Sequence, residues 1–120
     1  MNSFGREFSL FFFSKDESID DVVKILQENA ELFHRWAYIL HDKDGVCPHY
    51  HLYVSVNANC GATDVDAFFD IFMDVSRLRG SCKDFLNYCL NRSPATVGRY
   101  QYDVSGIVAN FNVAAELKRK

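Results

Sequence analysis

A chain of 120 residues that is 48% apolar and 15% aromatic is long enough to bury a core and is expected to form one globular domain over residues 1–120, standing at the N-terminal part of a longer protein. A net charge of −3 excludes a protein that coats nucleic acid by charge alone. No apolar run is long enough to span a bilayer, and Met1–Arg6 lacks a signal-peptide layout, so no membrane contact and a cytoplasmic setting are expected.

Glu7–Phe13 is aromatic and short, which predicts a strand. Ser18 and Asp21 mark a helix start, and Ile19, Val22, Val23 and Leu26 follow at helical spacing to about Asn29. Trp36–His41 and His49–Val56 read as a strand pair joined by the turn chemistry of Asp42-Lys43-Asp44-Gly45. Asn57–Ala62 reads as loop. Thr63 with Asp66 opens a second helix, carried by Val65, Phe68, Phe69, Phe72 and Ser76 to about Leu78. A third helix is predicted from Ser81 or Cys82 to about Asn91, ahead of Pro94. Gly98–Val104 reads as a strand and Val113–Lys120 as a short helix. This order predicts an α+β domain: a central antiparallel sheet, covered by helices on one face and open to a ligand on the other.

Chemistry concentrates in residues 41–51. Alternation along the strand puts Tyr50, Leu52, Val54 and Val56 on one apolar face. His49, His51, Tyr53 and Ser55 share the other. His41, closing the preceding strand, reaches the same side, and Asp44 lies in the connecting turn. Three imidazoles and a carboxylate suit a divalent metal, Mn²⁺ first, with Mg²⁺ as the oxygen-preferring alternative and Zn²⁺ or Co²⁺ as substitutes. A thiolate-rich structural zinc site does not fit, since only Cys47 is near. Cys82 and Cys89 read as small core residues, and His34 as structural or exposed.

The third helix supplies a candidate nucleophile in Tyr88, which taken alone reads as an amphipathic rim residue. Cys82, Phe85, Leu86, Cys89 and Leu90 share one arc, and Tyr88 falls at its boundary with solvent. The stretch Arg77–Arg99 holds five basic residues, Arg77, Arg79, Lys83, Arg92 and Arg99, against Asp84 alone. These could hold phosphates, and Tyr53, Tyr100 and Tyr102 could stack on bases or serve as core or rim.

In combination these stretches resemble the HUH endonucleases, most closely the plasmid-type rolling-circle replication initiators (Rep proteins). The likeness rests on Phe8–Phe13, on Leu40-His41-Asp42-Lys43-Asp44 with Pro48-His49-Tyr50-His51-Leu52, and on Phe85-Leu86-Asn87-Tyr88 with Arg99-Tyr100-Gln101-Tyr102-Asp103 after it. The resemblance implies an RRM/ferredoxin-like palm. It implies His49, His51, His41 and Asp44 as metal ligands and Tyr88 as catalytic tyrosine. It also implies single-stranded or hairpin origin DNA as substrate, nicked and rejoined through a 5′-phosphotyrosine, with a free 3′-OH passed to a host helicase and polymerase. Oligomerisation is not evident in this domain. Family members often carry Lys three residues after the tyrosine, where this chain has the uncharged Asn91. Three alternatives remain: a non-enzymatic single-strand-binding module of RNA-recognition type, a relaxase or transposase of the same chemistry, and a structural metal domain.

Overall fold

The computed structural model describes residues 4–43, 45, 47–69, 73–94, 96 and 98–119. Its elements run β1 (Phe4–Phe13), α1 (Ile19–Glu28), β2 (Phe33–His41), β3 (His49–Gly61), α2 (Ala62–Asp66), β4 (Asp74–Arg77), α3 (Cys82–Cys89), β5 (Val108–Ala109) and α4 (Val113–Leu117). The fold is α+β, with a five-stranded sheet in the order β4-β1-β3-β2-β5 and every pairing antiparallel.

The period-2 pattern sorts side chains onto two faces. Phe8, Leu10 and Phe12 of β1, Trp36 of β2, and Leu52, Val54 and Val56 of β3 form one apolar face. It is covered by Val22 and Leu26 of α1 and by Val65, Phe69 and Met73. The opposite face was expected to be open and is not. Ala37, Ile39 and Tyr53 lie there under Cys82, Phe85, Leu86 and Cys89 of α3, with Val113 and Leu117 of α4 packed alongside. Helices therefore cover both faces.

Four local expectations are corrected. The stretch expected to be loop, Asn57–Ala62, continues β3 to Gly61, because β1 begins at Phe4 and offers it a partner: Phe4 pairs with Gly61 and Gly5 with Cys60. The helix expected from Thr63 to Leu78 stops at Asp66, and Asp74–Arg77 forms β4 on the outer edge of β1. An unpaired β1 edge would expose its backbone donors and acceptors, so pairing overrides the helical spacing. Val65 and Phe69 still reach the core as expected, whereas Phe68 is exposed and Phe72 lies outside the described residues. Gly98–Val104 makes no strand; a 3₁₀ turn at Val104–Gly106 ends the segment, capped by Asp103 Oδ1 accepting from Ser105 N at 2.8 Å. The adjacent β2 edge is taken instead by β5, with Ala109 opposite Ala37. The last helix ends at Leu117, short of the expected Lys120.

The start of α3 is strongly specified. Ser81 Oγ accepts from Asp84 N at 3.2 Å, and Asp84 Oδ2 accepts from Ser81 N at 3.1 Å. Gly80 precedes this box at φ +82°, and a Cβ there would sit 2.7 Å from Asp84 Oδ2. Among the described residues, no helix is long and apolar enough to cross a membrane.

Candidate metal and nucleophile site

Register assembles the histidines. His41 of β2 lies directly opposite His49 of β3, and His51 follows two residues on, on the same face. One ligand-capable atom from each of His41, His49 and His51 lies within 4.8 Å of the others, so these three can hold a metal ion. Asp44, the fourth expected ligand, lies outside the described residues.

Backbone carbonyls set the direction of two rings. His49 Nδ1 donates to Cys47 O at 2.8 Å, which leaves its Nε2 lone pair for a ligand. His41 Nε2 donates to Cys89 O at 2.5 Å. Burial, reinforced by the neighbouring His41, His49 and Arg99, pushes the His51 pKa down from 6.5 to about 3. His51 is therefore a neutral donor across the physiological range. Three imidazoles form a nitrogen donor set, which suits a divalent transition-metal ion better than Mg²⁺. Phe11 of β1, opposite His51 in the register, packs against the rings of His49 at 4.8 Å and His51 at 5.5 Å. It walls the cluster on that side.

Tyr88 projects from the exposed side of α3 and is 42% accessible. Its ring stands edge-on to His51, centroids 5.9 Å apart at 87°. The two residues line one groove of about 1170 Å³, between the β1–β4 edge and α3, together with Arg77 and Arg79. Cys89, one residue beyond Tyr88, is the residue whose carbonyl holds His41.

The other candidates separate. Arg99 is exposed and close enough for its charge to act on His51. Arg92 is exposed just past α3, its charge acting on Asp103. Lys83 is not in the Tyr88 groove: it donates to Arg119 O at 2.5 Å and lines a second cavity of about 760 Å³ with Arg6, Arg35 and Glu116. Tyr100 is exposed, with the Lys43 ammonium 5.5 Å from its ring. Tyr102 is 7% exposed and stacked flat on His41, and Tyr53 is fully buried beneath α3, its hydroxyl donating to Glu7 Oε2. Tyr53 and Tyr102 are thus core residues in this fold, the other reading open to them. Asp84, one turn before Tyr88, is occupied in the α3 cap.

Sequence reasoning missed Phe11 and the Cys89 carbonyl. The first was accessible from strand register; the second leaves no side-chain signature.

No family model matches the chain. Over 113 residues it is 26% identical to a protein named "Replication protein" from Onion yellows phytoplasma (strain OY-M), a match covering 79% of this chain and 29% of that relative. The chain thus spans less than a third of the curated relative it matches.

Proposed function

We propose that this chain is the nicking and joining domain of a replication initiator of the HUH type, acting on single-stranded or hairpin origin DNA. The observation that carries the reading is the 5.9 Å approach of the Tyr88 ring to His51, the member of the three-histidine cluster that lines, with Tyr88, a groove bearing two arginines. The replication protein that this chain resembles supports the same direction.

A divalent cation held by His41, His49 and His51, Mn²⁺ first, with Asp44 as a further donor, supplies polarisation of the scissile phosphate when bound. The chain's own residues do the rest. Arg77 and Arg79 hold backbone phosphates along the groove, and Arg99 lies by the histidines to meet the charge that develops on phosphorus. Tyr88 Oη, exposed and not walled in, attacks phosphorus in line. The Oη–P bond forms and the P–O3′ bond breaks. The tyrosine proton passes to water and the 3′ oxygen is protonated, leaving a 5′-phosphotyrosine and a 3′-OH that can prime synthesis by a host polymerase. Rejoining is the reverse, with a new 3′-OH as attacker.

An open-sheet binding module fits less well, because α3 covers the face on which such modules stack bases. The test is incubation with a labelled single-stranded library and Mn²⁺, followed by denaturing electrophoresis. A covalent adduct is expected with the wild type, but not when EDTA is present from the start, and not in Tyr88→Phe, while DNA retention persists in that variant. An adduct that survives in Tyr88→Phe assigns the nucleophile elsewhere and refutes the reading.

A further inference from the structure

The segment after α3 does work at the histidine cluster that the proposed chemistry does not use. Tyr102 stacks on His41 with centroids 4.3 Å apart and planes 6° from parallel. Its hydroxyl accepts from Lys43 N at 2.9 Å, two residues beyond His41 in the turn that carries Asp44. Its own N–H donates to Leu90 O at 3.3 Å. Tyr102 thus touches the ring of His41 and the chain that follows it through its side chain, and the end of α3 through its backbone.

Asn91 holds this strap down. It sits at φ +61°, 1% exposed, in the left-handed conformation that Asn tolerates better than other residues with side chains. There it ends α3: Asn91 N donates to Tyr88 O at 3.0 Å and Arg92 N to Asn87 O at 2.8 Å, the paired bonds of a Schellman cap. Its side-chain Nδ2 donates to Tyr100 O at 2.7 Å, and its carbonyl accepts from Gln101 Nε2 at 2.5 Å. The residue standing where the resembled family often has Lys is therefore buried, committed to the backbone and unable to reach a phosphate.

We propose that Tyr102 is a positioning residue for the metal ligand His41, and that Asn91 anchors the strap of residues 99–103 that presents it. The inference rests on the reading of the three histidines as a metal site. The His41 ring is restrained by the Cys89 backbone carbonyl at Nε2 and by the Tyr102 ring on its face. Together they hold the imidazole in place beside His49 and His51. Losing the stacked ring frees the imidazole to rotate about its side-chain torsions, which spoils the donor geometry without changing any ligand.

The test measures Mn²⁺ affinity of the full chain by calorimetry, with thermal stability recorded in parallel. Tyr102→Leu should weaken Mn²⁺ by ~10–100-fold, the range typical of lost ligand-orienting contacts, and Tyr102→Phe, which keeps the ring, should return to within ~3-fold of wild type. Val22→Ala, on the opposite sheet face, lowers stability without touching the cluster and should keep wild-type affinity. A metal-free readout accompanies these: the His41 ring protons, shifted upfield by the stacked ring in the NMR spectrum, should lose that shift in Tyr102→Leu and keep it in Tyr102→Phe. Should Tyr102→Leu fail to fold, Asn91→Gly carries the test, since Gly keeps the left-handed backbone and removes only the amide; its Mn²⁺ affinity should fall ~3–10-fold. Unchanged affinity in Tyr102→Leu or, in its place, Asn91→Gly, or an equal loss in Val22→Ala, overturns the strap alone. A wild type that binds no Mn²⁺ overturns the metal reading as well.

Discussion

Replacing Tyr53 by Phe removes one oxygen from the middle of β3 and asks which face of the sheet that residue serves. Its hydroxyl is buried under α3 and donates to Glu7 Oε2 at 2.5 Å, across the β1–β3 pairing. Burial and this bond together push the Tyr53 pKa far up, so the hydroxyl stays a donor at any working pH. A hydrogen bond to a charged acceptor contributes ~1.5–3 kcal/mol net. Glu7 is only half-buried, so the carboxylate released by the substitution regains water, and the loss falls near the lower end of that range, ~1.5–2 kcal/mol. In a domain of this size that lowers Tm by ~5–10 °C. Urea denaturation of Tyr53→Phe, Glu7→Gln and the double variant should give a coupling energy of ~1 kcal/mol or more. Retention of single-stranded DNA should not change. A base-stacking Tyr53 predicts the reverse pattern: Phe would preserve both stability and binding, and Leu would cut binding. Stability of Tyr53→Phe within ~0.5 kcal/mol of wild type refutes the buried-bond account.

The basic residues should divide as the grooves do: Arg77→Ala and Arg79→Ala each lower single-strand affinity and reduce the slope of log K against log salt by ~0.7, while Lys83→Ala leaves the slope alone. Equal slopes in all three would place the strand elsewhere. In the metal-free protein His51 should stay neutral to well below pH 6.5, its ring resonances flat between pH 8 and 5; a midpoint near 6.5 would contradict its burial. Because its folded pKa lies below the unfolded one, the unfolded chain takes up the proton first. The associated stability is present above pH 6.5 and is lost as pH falls toward about 3. Among the cysteines, exposed Cys47 should alkylate quickly at pH 8, whereas Cys82, its thiol pushed up to about 11 by burial, and fully buried Cys89 should resist until the protein unfolds. Rapid modification of all three would show that α3 is not packed on the sheet.

How far the fold could be read depended on whether local pattern and tertiary pairing agreed. They agree in the β2–β3 pair, where alternation, turn residues and the spacing of His41, His49 and His51 all specify one register. They agree again in α3, whose buried arc of Cys82, Phe85, Leu86 and Cys89 is the one that helical spacing predicts. They conflict after Asp66. Val65, Phe68 and Phe69 carry a helical rhythm, yet the vacant edge of β1 draws Asp74–Arg77 into the sheet. Residues 99–103 mislead in the other direction: Tyr100 and Tyr102 alternate with polar neighbours like strand residues, but Tyr102 is pulled inward by His41 and Asn91 holds the backbone beside it. The covered second face was illegible for a related reason. Tyr53 sits between His51 and Ser55 in a row that looks polar, and its burial depends on Glu7, forty-six residues away, accepting its hydroxyl. At the candidate site, side-chain ligands left a trace in the sequence, while the carbonyls of Cys47 and Cys89 that orient them did not.

A metal-assisted tyrosine attack makes opposed demands on one small surface. The metal ligands must be held dry and immobile, and the nucleophile must be open to a DNA strand. In the proposed reaction, both would be met through α3. Its inner side packs on Ala37, Ile39 and Tyr53, which sets the height of the helix above the sheet. Its C-terminal turn then contributes two adjacent residues of opposite character: exposed Tyr88, whose ring meets His51, and buried Cys89, whose carbonyl holds His41. The distance between nucleophile and histidine cluster is thereby set within a single peptide step, not by the tip of a mobile loop. Displacements near 1 Å cost ~100-fold in a positioned reaction, so a hydrogen bond from a ligand to the neighbour of the nucleophile ties the two errors together. A shift of α3 that moves Tyr88 also moves the Cys89 carbonyl to which His41 is bonded. On this reading the uncharged Asn91 is no defect in the site: it ends α3 directly after that peptide step and keeps both residues at the height the sheet dictates.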